Sequence, residues 1–519
     1  MADNSHDSLF KNTGRTLASE RQRRNEFTVV LRRQKREDAF SARRAMLNGA
    51  PSTGNLEEYS KYNLYDDEVT TKLFSEDPSQ QEFALNVYAA RFKDDPVAAR
   101  TELWDMMNYG ALSALFSILQ KSEKASKVQF LCLRIFAVAV EDPDLALAMS
   151  TAIELHKYIM WNFTNFDTKC IGDVLIILCY TVRLSSIPTN AEQVPFLIDR
   201  CRRLCLESPM PYIRNLAAQA VSKIAEGVEE PIELPKCLVG FAGDLIVSDT
   251  PELRISGYQI LNACFSSYTL GNLVISSDRW RPVLERCSTV NDDELDEAYL
   301  VIENLANFML PYELTACELI PRMVSVIQDP QFNDTQRQLR ALTVLTELSL
   351  STMEKQQLLV DDFHTQLAPY LANIINFANY DTRRQALILL RNLFITIPKS
   401  VPLFTRYKTI CGLSDLLTVM HAETVVASLE ILKAILDDGG RPNADPEHLF
   451  NGEPREFIAL VEEAKIGDRI DFLVGSQNEQ VSLLALELLH VHLDRNDDET
   501  NVDLPDDLAD IGILSEFKF

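Results

Sequence analysis

The stretch Leu295-Asp296-Glu297-Ala298-Tyr299-Leu300-Val301-Ile302-Glu303-Asn304-Leu305-Ala306-Asn307-Phe308 decides the fold. Its apolar residues recur at three- and four-residue steps and leave Asp296, Glu297, Glu303 and Asn304 on the opposite side, the pattern of a helix buried along one face. Similar segments run from Gln129 to Val140, Cys170 to Val182, Ile213 to Ala225, Leu253 to Cys264, Gln338 to Leu350, Arg383 to Phe394 and Val425 to Leu436. One equivalent residue from each gives Val138, Tyr180, Lys223, Asn262, Asn304, Glu347, Asn392 and Ala434, at intervals of 42, 43, 39, 42, 43, 45 and 42. Acidic or Pro-containing turns separate the segments, and β-type alternation is almost absent.

That spacing is the period of armadillo or HEAT repeats, about 40 to 47 residues each. A single unit cannot bury its apolar face, so neighbours must stack into one continuous core with a long concave surface. The expected architecture is an all-α armadillo-repeat right-handed superhelical solenoid of about ten repeats over residues 55–494, capped by units near Phe83 to Phe92 and Val481 to Leu493. One extended domain then replaces the roughly three that this length would ordinarily hold.

Composition narrows the function. The 519 residues include only 17 glycines, and neither a G-x-G-x-x-G nor a G-x-x-x-x-G-K-[ST] phosphate loop occurs. The longest apolar runs, such as Val174 to Cys179, fall well short of the roughly 20 residues that span a bilayer, so no membrane insertion is expected. The polar, acidic start from Met1 to Phe10 lacks the order of a secretory signal, which points to the cytoplasm and nucleus. In that setting the 10 cysteines are expected to be reduced, mostly core fillers, and the close pair Cys201 and Cys205 has no histidine near it to suggest zinc. His490 and His492, two apart on a helix, point to different faces, and His156, His364, His421 and His448 are isolated. No nucleophile setting is recognisable, so no enzyme, cofactor or metal site is expected.

Charge is unevenly placed. Residues 1 to 44 hold 11 Lys/Arg and 6 Asp/Glu, a net of +5, while residues 45 to 519 hold 39 and 70, a net of −31. The body should repel nucleic acid and attract basic peptides, and the arm should seek something acidic. The arm reads Phe10-Lys11-Asn12-Thr13-Gly14-Arg15, then Arg21, Arg23 and Arg24, then Val29-Val30-Leu31-Arg32-Arg33-Gln34-Lys35-Arg36, then Arg43-Arg44. From Glu20 to Met46 there is neither Gly nor Pro, and Phe27, Val30 and Leu31 share a helical face, so a basic helix is predicted there. Charge alone also allows a solvated tail or a weak nucleic-acid or membrane-surface binder.

In order and spacing these clusters resemble the importin-β-binding segment of the importin-α family. The resemblance implies that residues 1–54 are an importin-β-binding arm and linker, with Arg15, Arg21, Arg23, Arg24, Leu31, Arg32, Arg33, Lys35, Arg36, Arg43 and Arg44 as its contacts. Near the other end, Gly412 to Met420 and Leu460 to Ala464, followed by Asp468-Arg469-Ile470-Asp471-Phe472-Leu473, are similar to the late armadillo repeats of that family. The implied function is a nuclear import adaptor that carries basic nuclear localisation signals, couples them to importin-β and meets a nuclear export receptor at its last repeats. Residues 495–519, with Asp494 to Asp510 rich in aspartate, are expected to form an acidic tail.

The family reads its signal with a row of Trp and a row of Asn one turn apart on the third helix of each repeat. Here the Trp positions fall at Arg134, Ile176, Gln219, Tyr258, Leu300, Thr343 and Ile388, and the Asn row keeps only Asn262, Asn304 and Asn392. Tyr258 is the one expected aromatic slot; Trp104, Trp161 and Trp280 lie off these positions and are expected to be packing residues. Loss of three stacking slots worth about 1 kcal/mol each weakens peptide binding roughly a hundredfold. The arm ends in Ala42-Arg43-Arg44 where the family has Lys-Arg-Arg, which predicts weak autoinhibition. An eroded array also suits a second reading, a non-transport scaffold that uses its arm only to bind importin-β or to reach the nucleus.

Overall fold

Several of the long helices start with a side-chain cap. Asp77 accepts from the Ser79 N–H at 3.0 Å, Ser126 from Gln129 at 3.1 Å, Asn379 from Thr382 at 3.0 Å and Asn478 from Val481 at 3.1 Å. Proline at the first helical position, as at Pro78 and Pro251, adds a fixed φ where no N–H is needed. In the computed structural model, residues 56–182, 193–227, 235–333, 335–361, 364–401, 409–439, 461 and 464–493 are described. Among them there are helices and no strands.

The long helices that recur once per repeat are labelled in chain order: α1 Pro78–Asp94, α2 Lys127–Ala139, α3 Ile171–Thr181, α4 Pro211–Gly227, α5 Pro251–Phe265, α6 Asp292–Phe308, α7 Gln336–Ser349, α8 Tyr380–Thr396, α9 Ala422–Gly439 and α10 Glu479–Leu488. The expected segments from α2 to α9 match within a few residues, and α1 and α10 overlap the segments near Phe83 to Phe92 and Val481 to Leu493. The predicted basic helix, the linker and the acidic tail lie outside the described residues.

The chain divides into two compact units, Met1–Cys237 and Leu238–Phe519. In the first, α1 packs on α2, α2 on α3 and α3 on α4; in the second, α5 through α10 pack in the same successive way. Shorter helices back each long one, such as Pro96–Met107 and Ala111–Lys121 behind α2. The core is aliphatic with a few large rings, among them Tyr88 and Phe136 in the first unit and Tyr258, Tyr299 and Phe394 in the second. Tyr299 keeps its hydroxyl satisfied by donating to the Cys287 carbonyl at 3.1 Å.

Two devices bind one repeat to the next. The first is a set of long polar side chains that reach the last carbonyls of a neighbouring helix. Buried Lys355 donates to the Ala306 and Asn307 carbonyls at the end of α6, at 2.9 and 2.6 Å. Arg286 reaches Ile246 at 2.9 Å, and Arg469 reaches Ser414. Cations at helix C-termini satisfy orphan carbonyls and oppose the macrodipole. The second is close approach at glycine: a Cβ on Gly271 would lie 2.3 Å from the Phe308 ring, so the helix Tyr268–Ser277 can come this near to α6 because it has glycine there. Several turns between backing helices use a left-handed residue, Gly110 at φ 84° and, without glycine, Glu154 at 49° and Glu318 at 57°.

The cysteines mostly fill the core as expected: Cys132, Cys170, Cys201, Cys205, Cys264 and Cys287 are buried, and Cys237 is exposed. Burial pushes the Cys205 thiol up to about 12. The expectation for tryptophan needs correction. Trp280 is buried and donates to the Ile275 carbonyl at 3.1 Å, but Trp104 and Trp161 are exposed.

Candidate functional site

Repetition places the same face of each long helix toward solvent. Val138, Tyr180, Lys223, Asn262, Asn304, Glu347 and Ala434 are half-buried there, as a ligand-lining row requires, whereas Asn392 is buried. Asn392 spends its amide on Ser349 Oγ at 2.9 Å, a bond from α8 to α7. Of the other row, Arg134, Ile176, Gln219, Thr343 and Ile388 are half-buried and Leu300 is exposed.

Tyr258 does not form the expected aromatic slot. It is fully buried, with its hydroxyl 3.5 Å from the Glu294 carboxylate, and offers no surface to a peptide. Burial, reinforced by Glu294, pushes its phenol up to about 12. The half-buried residue one turn before Asn262 on α5 is Gln259. Gln259 takes the outer place in the turn before Asn262 because the large ring of Tyr258 gains more in the core than on the surface.

On α5, α6 and α7 the solvent-facing side chains bond one another. Gln259 donates to Glu297 at 3.2 Å, Asn262 donates to the Glu297 carbonyl at 3.2 Å, and Asn304 donates to Asn262 Oδ1 at 3.1 Å. Arg340 of α7 grips Asp296 of α6 with bonds of 3.0 and 2.8 Å. Beneath this ladder lies Arg254, which pairs through Nε with the buried Glu294 carboxylate at 2.7 Å; Asn291 donates to the same carboxylate at 3.0 Å.

Glu303 stands apart. It projects from α6 next to Asn304, and its Oε1 is buried without a hydrogen-bond partner. Desolvation pushes its carboxyl up to about 7; Arg340 opposes the shift, while Glu347 and Asp296 add to it. Glu347 and Asp296 thus add negative charge beside a carboxyl whose opposing cation, Arg340, is bonded to Asp296, an arrangement that favours an incoming ammonium or guanidinium group.

The same faces elsewhere carry ion pairs between repeats. In the first unit Lys127 pairs with Glu82 at 2.6 Å and Arg134 with buried Asp173 at 2.9 Å. Desolvation raises the Asp173 carboxyl and Arg134 holds it down. In the second unit Arg384 pairs with Glu423 at 3.1 Å, Arg391 with Glu430, and Lys433 with Glu487. Sequence reasoning named none of these pairs, although their spacing carried the signal: Asp296 and Arg340 are 44 apart, and Arg384 and Glu423 are 39 apart, each close to one repeat.

Among the described residues no group of three or more His, Cys, Asp and Glu side chains could hold a metal ion, and no helix is long and apolar enough to cross a membrane. His492 meets Asp437 at 3.0 Å. The arm residues Arg15 through Arg44 lie outside the described residues.

Comparison with known proteins bears on both ends of this picture. Residues 6–86 match the family model described as the importin beta binding domain. A crystal structure described as an engineered protein of the Northeast Structural Genomics Consortium has a TM-score of 0.61 and 17% identity, over 81% of this chain and 97% of that one. A second engineered protein from the same consortium has a TM-score of 0.39 and 14% identity, over 49% of this chain and 95% of that one. No curated protein matches. The class is thus an all-α repeat protein with an N-terminal region similar to importin-β-binding domains.

Proposed function

We propose that this protein is a nuclear import adaptor of the importin-α kind, which moves between cytoplasm and nucleus, holds basic localisation signals on its repeat faces and couples them to importin-β through its arm. The observation that carries the reading is the importin-β-binding match over residues 6–86 at the head of an all-helical repeat chain whose remainder is strongly acidic. Arg15, Arg21, Arg23, Arg24, Leu31, Arg32, Arg33, Lys35, Arg36, Arg43 and Arg44 supply the importin-β contacts. Cargo binding rests on Asn262, Asn304 and the acidic neighbourhood of Glu303. A nuclear export receptor is the expected partner of the last repeats. The acidic body disfavours direct nucleic-acid binding.

A second reading is a scaffold that binds importin-β without basic cargo, favoured by the mutual pairing of Gln259, Glu297, Asn262 and Asn304. A pull-down with purified importin-β and a fluorescent lysine-rich peptide separates the two. A ternary complex supports the adaptor, importin-β alone supports the scaffold, and no importin-β binding removes both. Replacing Arg32, Arg33, Lys35 and Arg36 with alanine should abolish the importin-β contact and leave peptide binding in place.

A further inference from the structure

The last long helix carries an apolar stripe that nothing covers. In α10 the buried residues Val481, Ala485 and Leu488 face the rest of the second unit, and Glu487 pairs with Lys433 of α9. Beside that buried stripe run Leu483, Leu486 and Leu489 at three-residue steps, neighbours along one side of a helix. Leu483 is exposed, and the other two are half-buried.

The corresponding side chains of α8 are covered. Asn379 caps α8 as Asn478 caps α10, each accepting from the N–H three residues on. Counted from these caps, Leu387 and Leu390 of α8 stand where Leu486 and Leu489 stand in α10, and both are fully buried. The side chains are the same and the neighbours differ. Helix α8 lies between α7 and α9, whereas α10 packs on α9 and on the helix Ile466–Val474, and among the described residues no later repeat follows it. The end of a stacked array needs a cap with a polar outer face.

The sequence beyond Leu493 holds a segment of that design. Leu504, Leu508 and Ile511 recur at steps of four and three, and Asp506 and Asp510 fall on the opposite side. Asp503 and Pro505 are helix-start residues and Gly512 a helix-stop residue, so the pattern predicts two amphipathic turns. The nine residues 494–502 reach up to about 30 Å when extended, twice the roughly 15 Å length of the 10-residue α10, so the segment can lie back along that helix. We propose that residues 503–512 fold back as a short helix over α10, with Leu504, Leu508 and Ile511 on Leu483, Leu486 and Leu489, and Asp506 and Asp510 in water. The tether keeps the segment at high effective concentration, so modest affinity suffices.

Hydrogen exchange of the α10 amides in the full chain is the test. Leu504→Ser/Leu508→Ser/Ile511→Ser should speed that exchange about tenfold if nine chains in ten hold the cap, and should leave the α2 amides unchanged. Asp510→Asn, on the water side, should not speed it, and about 0.5 M salt should preserve the protection. A benzophenone amino acid in place of Leu508 should cross-link to residues 479–493 of its own chain. These substitutions alter no side chain of the described repeats, so misfolding of the repeats does not imitate the result. Equal exchange in wild type and the serine variant overturns the proposal, as do cross-links confined to other parts of the chain. Acceleration by Asp510→Asn as large as that by the serine variant overturns it in favour of a charge contact. Cross-links between two chains that rise with concentration overturn it in favour of a second copy. Importin-β enters none of these readouts, so the adaptor reading and the cap stand or fall separately.

Discussion

Replacing Glu303 with glutamine should stabilise the second unit in a pH-dependent way. The carboxyl is raised from the ordinary 4.5 to about 7 because it is buried, with one oxygen unbonded. Between those two values the unfolded chain releases the proton and the folded chain retains it, so the folded state binds more protons and its stability falls as pH rises through the window. Above pH 7 both states are ionised and the loss is complete, about 3 kcal/mol at most, since each tenfold change in acidity is worth about 1.4 kcal/mol. Glu303→Gln removes that penalty and retains an amide to be solvated, so the expected gain is about 1 to 3 kcal/mol at pH 8.5 and near zero at pH 4.5. Amide hydrogen exchange across α6 in the full chain reads the effect locally; a gain of about 2 kcal/mol slows exchange roughly thirtyfold where opening is local. The reasoning is refuted if the variant is no more protected than wild type at pH 8.5, or if the gain is the same at pH 4.5.

Arg254→Met should destabilise the same region by about 3 to 5 kcal/mol, because it leaves the buried Glu294 carboxylate without its cation, while Arg254→Met/Glu294→Leu should recover most of the loss; urea unfolding followed by the exposure of α5 and α6 amides checks both. Tyr258→Phe should cost at most about 1 kcal/mol and leave peptide affinity unchanged, since the ring is core and the hydroxyl contact to Glu294 is long at 3.5 Å; an appreciable loss of peptide binding in fluorescence anisotropy would restore Tyr258 to the ligand surface. Glu318→Gly should raise stability slightly, by up to about 1 kcal/mol, by relieving a left-handed turn at φ 57°. Thermal unfolding of the two chains compared side by side measures it.

Much of this fold is legible in sequence because a helix that must bury one stripe repeats that stripe. The segment Leu295 to Phe308 and its copies place α2 to α9 to within a few residues, and the acidic, Pro-bearing turns set their starts. What escaped was the choice between Tyr258 and Gln259. An alignment by repeat spacing puts Tyr258 on the solvent face, but successive residues of a helix lie about 100° apart, and Tyr258 and Gln259 are each about one turn before Asn262. Burial of an aromatic ring outweighs the alignment, and Gln259 takes the outer place. The pairs Asp296–Arg340 and Arg384–Glu423 escaped for another reason: charges on a solvated face look like solubility in one dimension, and only the stacking of neighbouring helices brings them within bonding distance. Trp104 reads as a packing residue because it lies off the solvent-facing row, but it is half exposed.

The bonded state of the repeat faces sets how a basic peptide would be read. Asp296 is already held by Arg340, and Asn262 and Asn304 are bonded to each other, so a peptide that contacts them exchanges one hydrogen bond for another at little net gain. Glu303 differs, because its half-buried carboxylate makes no hydrogen bond through Oε1, so an ammonium group that reaches it breaks no bond there. Selectivity should therefore concentrate at that position instead of being shared along a Trp and Asn array. At pH 8, where the carboxyl is ionised, Glu303→Gln should weaken binding of a lysine-rich peptide about ten- to a hundredfold, the worth of a charge-assisted bond of about 1.5 to 3 kcal/mol. Asn304→Ala should cost no more than about fivefold. Wild-type affinity should rise between pH 6 and pH 8 as the Glu303 proton leaves, and this dependence should vanish in Glu303→Gln. Anisotropy titrations at fixed ionic strength decide the matter: a larger loss for Asn304→Ala than for Glu303→Gln would mean that the amide row reads the peptide after all, and that its internal bonds open on binding.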